Sequence, residues 1–145
     1  MGFVWTLIQG ATGEESGWRG FLQPSLETNH GVIKSSLFTG IIWGFWHTPL
    51  WLMEGYNAVQ LLMYILCFLL SITSVSVIIG VCYSRCKNLF VPMWIHFMFN
   101  FVLTGFMGNV LDLFIAFVVL YIFAAAGYVI WYKRRIVSGL PAEQE

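Results

Sequence analysis

Hydrophobic residues dominate most of this chain, in long stretches separated by short polar or charged interruptions. Four such stretches cover residues 35–53, 58–84, 89–107 and 110–132. At about 1.5 Å per residue, a helix of this length crosses a hydrocarbon core of about 30 Å. The pattern therefore predicts an all-α, polytopic membrane bundle of four spanning helices, preceded by an amphipathic or partial N-terminal helix.

The composition favours the same class of protein. Of the 145 residues, 59% are hydrophobic and only 10% are charged, which is too apolar for a soluble domain. Seven Lys and Arg balance seven Asp and Glu, so the chain lacks the basic excess that neutralises a nucleic-acid backbone. We therefore expect a multi-pass protein of the cell membrane, surrounded by the lipid bilayer and without a nucleic-acid partner.

The positions of the basic residues predict an orientation. Short cytoplasmic loops accumulate Lys and Arg, and four crossings bring every basic segment of this chain to one side. The residues predicted to be cytoplasmic are Arg19, Lys34, Arg85, Lys87 and Lys133 to Arg135. No repeat or linker divides the chain, so residues 1–136 are predicted as one domain and residues 137–145 as a polar tail.

Polar side chains inside the predicted spans are the first candidates for chemistry. His47 lies in the first span, while His96 and Asn100 are four residues apart in the third and share one helical face. A histidine in a spanning helix is costly unless it faces a partner or a water-filled cavity. These residues are therefore functional candidates, although hydrogen bonding between helices is an alternative role for each.

A polar segment before the first span holds two consecutive glutamates. Glu15 and Arg19 are four apart, so they can pair on one helical face, whereas Glu14 points about 100° away. On these residues alone we expect an interfacial helix with a solvated ion pair. In the first span, the GxxxG spacing of Gly40 and Gly44 predicts close approach of another helix.

Together these polar groups fit hydrolysis in two ways. In one, Glu14, His47 and His96 are the His₂Glu ligands of a zinc ion that activates water. In the other no metal takes part: Glu14 is the general base toward a water held by His47, and His96 and Asn100 donate hydrogen bonds to the developing oxyanion. No Ser or Cys lies in a recognisable nucleophile motif, which disfavours acyl-enzyme chemistry.

Three motifs resemble a known family. EESGWR at residues 14–19, WGFWH at 43–47 and HFMFN at 96–100 are similar, in order and spacing, to the EExxxR, FxxxH and HxxxN motifs of the CPBP (Abi) family. These are intramembrane CAAX-prenyl-protease and bacteriocin-processing proteins. The resemblance implies a glutamate-dependent intramembrane metalloendopeptidase. Its implied catalytic residues are Glu14, His47, His96 and Asn100, with Glu15 and Arg19 in support and Trp43 in place of the motif's Phe.

The resemblance also implies partners. The substrate would be a membrane-associated protein or peptide, such as a prenylated C-terminus, or the role would be bacteriocin processing or self-immunity. Family members usually carry spanning helices before EExxxR, and thirteen residues precede Glu14 here, so we expect those helices to be missing. The alternative is a non-catalytic membrane protein that confers immunity by binding. A proton-coupled transporter is a weaker third reading, because no repeat or pair of broken helices is visible.

Overall fold

The computed structural model describes residues 10–53, 55–105 and 110–138, and the regular structure in these ranges is helical. A π-helical turn, Trp18–Leu22, connects the first two helices. The helices are α1 (Gly13–Gly17), α2 (Gln23–Trp46), α3 (Thr48–Trp51), α4 (Ala58–Cys86), α5 (Phe90–Gly105) and α6 (Val110–Val137). The predicted all-α class is therefore confirmed. Of the predicted polar tail, residues 139–145 lie outside the described residues.

Helix α2 differs from the predicted first span at both ends. It begins at Gln23 rather than near residue 35, and it kinks at Gly31, whose φ of 71° suits only glycine without strain. It ends at Trp46 because Pro49, in the first turn of α3, removes a backbone donor and clashes with a continuing helix. The single helix predicted over residues 35–53 is thus wrong.

Helix α4 begins at a side-chain N-cap and ends at a residue in the left-handed conformation. The Asn57 side chain accepts hydrogen bonds from the backbone N–H groups of Val59 (3.1 Å) and Gln60 (3.0 Å). The Gln60 side chain in turn accepts from the Asn57 N–H at 3.3 Å, which completes a capping box. At the other end Lys87 adopts a left-handed conformation, with φ of 50°. The predicted second span is therefore one continuous helix.

Within the described ranges, two helices are long and apolar enough to cross a membrane, at Ala58–Cys86 and Leu111–Val137. A third apolar helix, Phe90–Leu103, is shorter. Length and composition alone support these assignments. The count of four spans stays a prediction.

Helix α4 packs against both α2 and α6. The close approach predicted from the GxxxG spacing is confirmed, because a Cβ atom added to Gly40 would lie 2.8 Å from the Thr73 Cα atom. One added to Gly44 would lie 2.5 Å from a methyl group of Leu69. The main core around this contact includes Trp43, Trp51, Phe68, Ile72, Val75 and Phe114.

Candidate active site

Glu14 lies in the first turn of α1, at the edge of an open cleft. Its Oε2 atom accepts hydrogen bonds from the indole N–H groups of Trp43, at 2.6 Å, and Trp18, at 3.4 Å. The cleft has a volume of about 290 Å³ and is lined by Glu14, Trp18 and Trp46 together with Gly13 and Gly17. Because the glycines carry no side chains, the half-buried carboxylate borders open space on one side.

Glu15 and Arg19 form the ion pair that their spacing predicts, with 2.9 Å between Oε1 and Nη1. Both side chains are 0% exposed, so the expected solvated pair is wrong. The physical reason is that α4 covers this face. Arg19 Nη2 donates to the Ser76 hydroxyl at 2.8 Å, and that hydroxyl donates to the Ser36 carbonyl at 2.9 Å.

The buried guanidinium has further neighbours that stabilise its charge. The Arg19 Cζ atom lies 5.1 Å from the ring centroid of Trp43, a cation–π distance. Burial lowers the pKa of Arg19 below its ordinary value, although the carboxylates of Glu15 and Glu14 act in the opposite direction. Arginine remains protonated in proteins, so this site contains a fixed positive charge.

His96 on α5 is 1% exposed and contacts the same glutamate oxygen. Its Nδ1 atom lies 3.0 Å from Glu15 Oε1, and its ring centroid lies 4.6 Å from that of Trp43. An ionised carboxylate only accepts, so Nδ1 donates to it. Glu15 therefore fixes the orientation of the His96 ring and leaves Nε2 as the nitrogen that can face a reacting group.

His47 caps the C-terminal end of α2. Its Nδ1 atom lies 2.8 Å from the backbone carbonyl of Trp43. A carbonyl oxygen cannot donate, so Nδ1 carries a proton, and in the neutral ring Nε2 is an acceptor. The half-buried ring also packs on Phe68, with 5.3 Å between centroids. His47 is thus oriented by its own helix and not by a carboxylate.

Trp43 connects the site residues. The sequence assigned it only a supporting position, but its indole donates to Glu14, its carbonyl accepts from His47 and its ring contacts His96. The substitution of Trp for the motif's Phe supplies the N–H donor, and this was the signal available in the sequence. The sequence analysis gave no role to Trp18 or Ser76, because a single Trp or Ser residue carries no distinctive spacing.

Asn100 lies one helical turn beyond His96 on α5 and is half-buried. Its amide Nδ2 atom would be 3.3 Å from a Cβ atom added to Gly10, so the side chain packs against the start of the described chain. The structure therefore gathers Glu14, His47 and His96 around one indole, with Asn100 beside them along the same face of α5.

The predicted zinc ligands can be tested against this geometry. Both histidines use Nδ1 in a hydrogen bond, as metal-bound histidines commonly do. However, no group of three His, Cys, Asp or Glu side chains in the described parts of the chain converges as a metal site. One carboxylate oxygen of Glu14 is also occupied by indole donors. The residues as arranged do not fit a zinc ion, and the zinc set stays a prediction.

Three of the described helices are apolar, and two of them are long enough to cross a membrane. The helices surround a site with a carboxylate, two histidines and a buried ion pair. This combination is that of a helical membrane protein with acid–base groups in one site. A family model, Type II CAAX prenyl endopeptidase Rce1-like, matches residues 1–102, and the chain belongs to this family. The resemblance to CAAX prenyl proteases that the three motifs predict is therefore confirmed.

A curated relative supports the assignment. The chain is 35% identical over 104 residues to the CAAX prenyl protease 2 of Methanococcus maripaludis, an alignment that covers 67% of this chain and 38% of that protein. The chain thus spans well under half the length of this relative. No solved structure matches this chain.

Proposed function

We propose that this chain hydrolyses a peptide bond near the C-terminus of a membrane-associated protein, of the CAAX-prenylated type named in its family and its relative. One observation carries the proposal. The Glu14 carboxylate borders an open cleft and is hydrogen-bonded to Trp43, the residue that also contacts His47 and His96. These contacts support a role for Glu14 as a base that can reach water, with the two imidazoles on the same tryptophan.

In the proposed reaction Glu14 removes a proton from a water molecule whose oxygen attacks the scissile carbonyl carbon. The indole of Trp43 holds Oε2 at 2.6 Å, which directs the other carboxylate oxygen toward that water. His47 Nε2 accepts a hydrogen bond from the other O–H group of the water and so positions the water molecule. A C–O bond forms, and the carbonyl electron pair moves onto oxygen.

The oxyanion then needs donors. We assign this role to His96 and Asn100, which lie one turn apart on α5. His96 carries a proton on each ring nitrogen in this proposal, because Nδ1 donates to Glu15 while Nε2 donates to the oxyanion. When the tetrahedral intermediate collapses, the C–N bond breaks and the protonated Glu14 gives its proton to the leaving amine.

The test is cleavage of a fluorogenic peptide with a prenylated C-terminal cysteine by the full chain in lipid nanodiscs. Glu14→Gln should lower the rate by at least 100-fold, since general-base catalysis contributes about 10²–10⁴. Asp112→Asn is the matched control, because this exposed acid lies at the start of α6. Equal rates for Glu14→Gln and the wild-type chain would refute the assignment of the base.

The same assay addresses the finer alternatives. Activity that survives removal of metal by a chelator supports the metal-free route, whereas loss and recovery with Zn²⁺ supports the zinc set. A wild-type chain that binds the peptide without cleaving it would favour the non-catalytic immunity or binding role. Cleavage that does not depend on the prenyl group would point to another membrane substrate, including a bacteriocin precursor.

We also propose that the basic residues at one end of the bundle face the cytoplasm. Arg85, in the last turn of α4, and Arg135, in the last turn of α6, both lie over the ring of Trp131, at 5.0 and 5.7 Å. These contacts support a shared end for the two segments, and Lys34 and Lys133 line one cavity there. The residues proposed to be cytoplasmic are Lys34, Arg85, Lys87 and Lys133 to Arg135.

The exposed thiol of Cys86 tests this orientation, because it lies beside Lys87. In a Cys67→Ser/Cys82→Ser background, a membrane-impermeant thiol reagent should label Cys86 in inverted vesicles and not in intact cells. The reverse labelling pattern would contradict the orientation. Labelling after detergent treatment controls for access to the thiol.

A further inference from the structure

The basic end of the bundle contains a cavity of about 520 Å³ between the kink of α2 and the last turns of α6. It presents two ammonium groups, an imidazole and a phenol, and no carboxylate is among the described residues that line it. Its principal lining residues are His30, Gly31, Lys34, Tyr132, Lys133 and Ile136. The cavity is therefore positively charged.

Among the residues that the structure describes, no acidic side chain pairs with either of the two lysines, Lys34 and Lys133. Glu27 is engaged elsewhere, since its carboxylate accepts from Gln23 at 2.7 Å and lies 3.8 Å from Lys87. Two cations from different helices, without an ion-pair partner in the described residues, attract an anion into the space between them.

A mainly apolar groove lies next to this cavity. Ile33 lines both spaces, and the groove, of about 330 Å³, runs between α2 and α6 along the surface of α4. Other residues that line it include Leu37, Leu70, Val77, Ile122, Ala126 and Val129. A charged compartment thus lies next to a mainly apolar one, which is the chemical pattern of a phospholipid.

The dimensions agree with one leaflet of a bilayer. Ile122 in the groove and Ile136 in the cavity are separated by about 21 Å along α6 at a rise of about 1.5 Å per residue. Half of a bilayer that measures about 40–45 Å with its headgroups is about 20–22 Å. A lipid whose headgroup lies at the basic end therefore fits the length of the combined space.

We propose that the cavity and groove bind one anionic phospholipid, with its phosphate between Lys34 and Lys133 and an acyl chain along the groove. Basic pockets between membrane helices bind such headgroups. The site is separate from the cleft of Glu14, which is lined by α1, the π-helical turn and Trp46. Much of it is formed by α6, which lies beyond the residues that the family model matches.

The headgroup contacts are tested by titrating dioleoyl phosphatidylglycerol into the delipidated full chain in detergent and counting bound lipid by native mass spectrometry. Lys34→Gln/Lys133→Gln should weaken binding about 30-fold, because each basic residue near an anionic headgroup contributes about fivefold. Lys87→Gln/Arg134→Gln removes the same charge outside the cavity and should weaken binding less than about threefold. Equal weakening by both pairs would overturn the proposal in favour of diffuse surface attraction.

The acyl groove is tested separately. Ala126→Trp fills it from an exposed position and should weaken phosphatidylglycerol binding, whereas Ala124→Trp, on the exposed face outside the groove, should not. Neither variant should change binding of soluble glycerol phosphate. Phosphatidylcholine binding as tight as phosphatidylglycerol, or full competition by a prenylated peptide, would overturn the proposal. Glu14→Gln should keep the lipid, so this result is independent of the proposed protease activity.

Discussion

Replacing Arg19 with Met should destabilise the protein strongly, because it leaves the Glu15 carboxylate buried without its cationic partner. Both side chains are fully buried, and their 2.9 Å contact is extended by the 2.8 Å bond from Arg19 to the Ser76 hydroxyl. Removing one partner of a buried ion pair costs about 3–5 kcal/mol. Met retains most of the volume of the aliphatic stem, so a cavity contributes little to this loss.

The free energy of unfolding can be measured by SDS titration in mixed micelles, followed by tryptophan fluorescence. A double-mutant cycle with Glu15→Gln separates the ion pair from packing. The Glu15→Gln/Arg19→Met variant should recover at least half of the loss, since neither buried charge remains. The exposed Arg134→Met is the control and should leave the unfolding midpoint unchanged.

Two results would refute this reasoning. A loss below about 1 kcal/mol for Arg19→Met would mean that water or a rearranged His96 compensates Glu15 fully, so that the pair does not stabilise the bundle. Additivity of the single variants within about 0.5 kcal/mol would mean that the two side chains are energetically independent despite their contact.

Two further predictions concern α4 and its neighbours. Gly80→Val should cost at least about 1–3 kcal/mol of unfolding free energy, because a Cβ atom there would overlap the side chains of α2 that face it. Gly127→Ala has open space around it and should stabilise the protein by about 0.4–1 kcal/mol. Equal effects of the two variants in the SDS titration would contradict this packing. Asn57→Ala should cost about 1 kcal/mol by removing the N-cap of α4. An unchanged midpoint for Asn57→Ala would show that the capping box does not contribute.

Residue spacing along the chain predicted the features that depend on residues close in sequence. Four-residue spacing placed Glu15 and Arg19 on one face, and their pairing is confirmed. The glycines of the GxxxG spacing do contact α4. Long apolar stretches gave the helical class and the two long apolar helices of the described residues.

What the sequence could not provide depends on distant segments. The burial of Arg19 follows from Ser76, 57 residues later, and no local pattern indicates which helix covers a given face. The indole of Trp43 reaches Glu14 across 29 residues of sequence, and its direction depends on a rotamer selected by tertiary packing.

The two consecutive glutamates illustrate how burial assigns different roles to one residue type. Glu15 is 0% exposed, and its Oε1 atom is shared by Arg19 and His96, so it positions the histidine and cannot reach the cleft. Glu14 is only half-buried, borders the cleft and takes its hydrogen bonds from uncharged indoles. A water molecule that enters the cleft therefore meets Glu14 first. Glu15 cannot replace it in a Glu14→Gln variant without breaking both the ion pair and the contact that orients His96, and this is why that single substitution is the decisive test of the proposed chemistry.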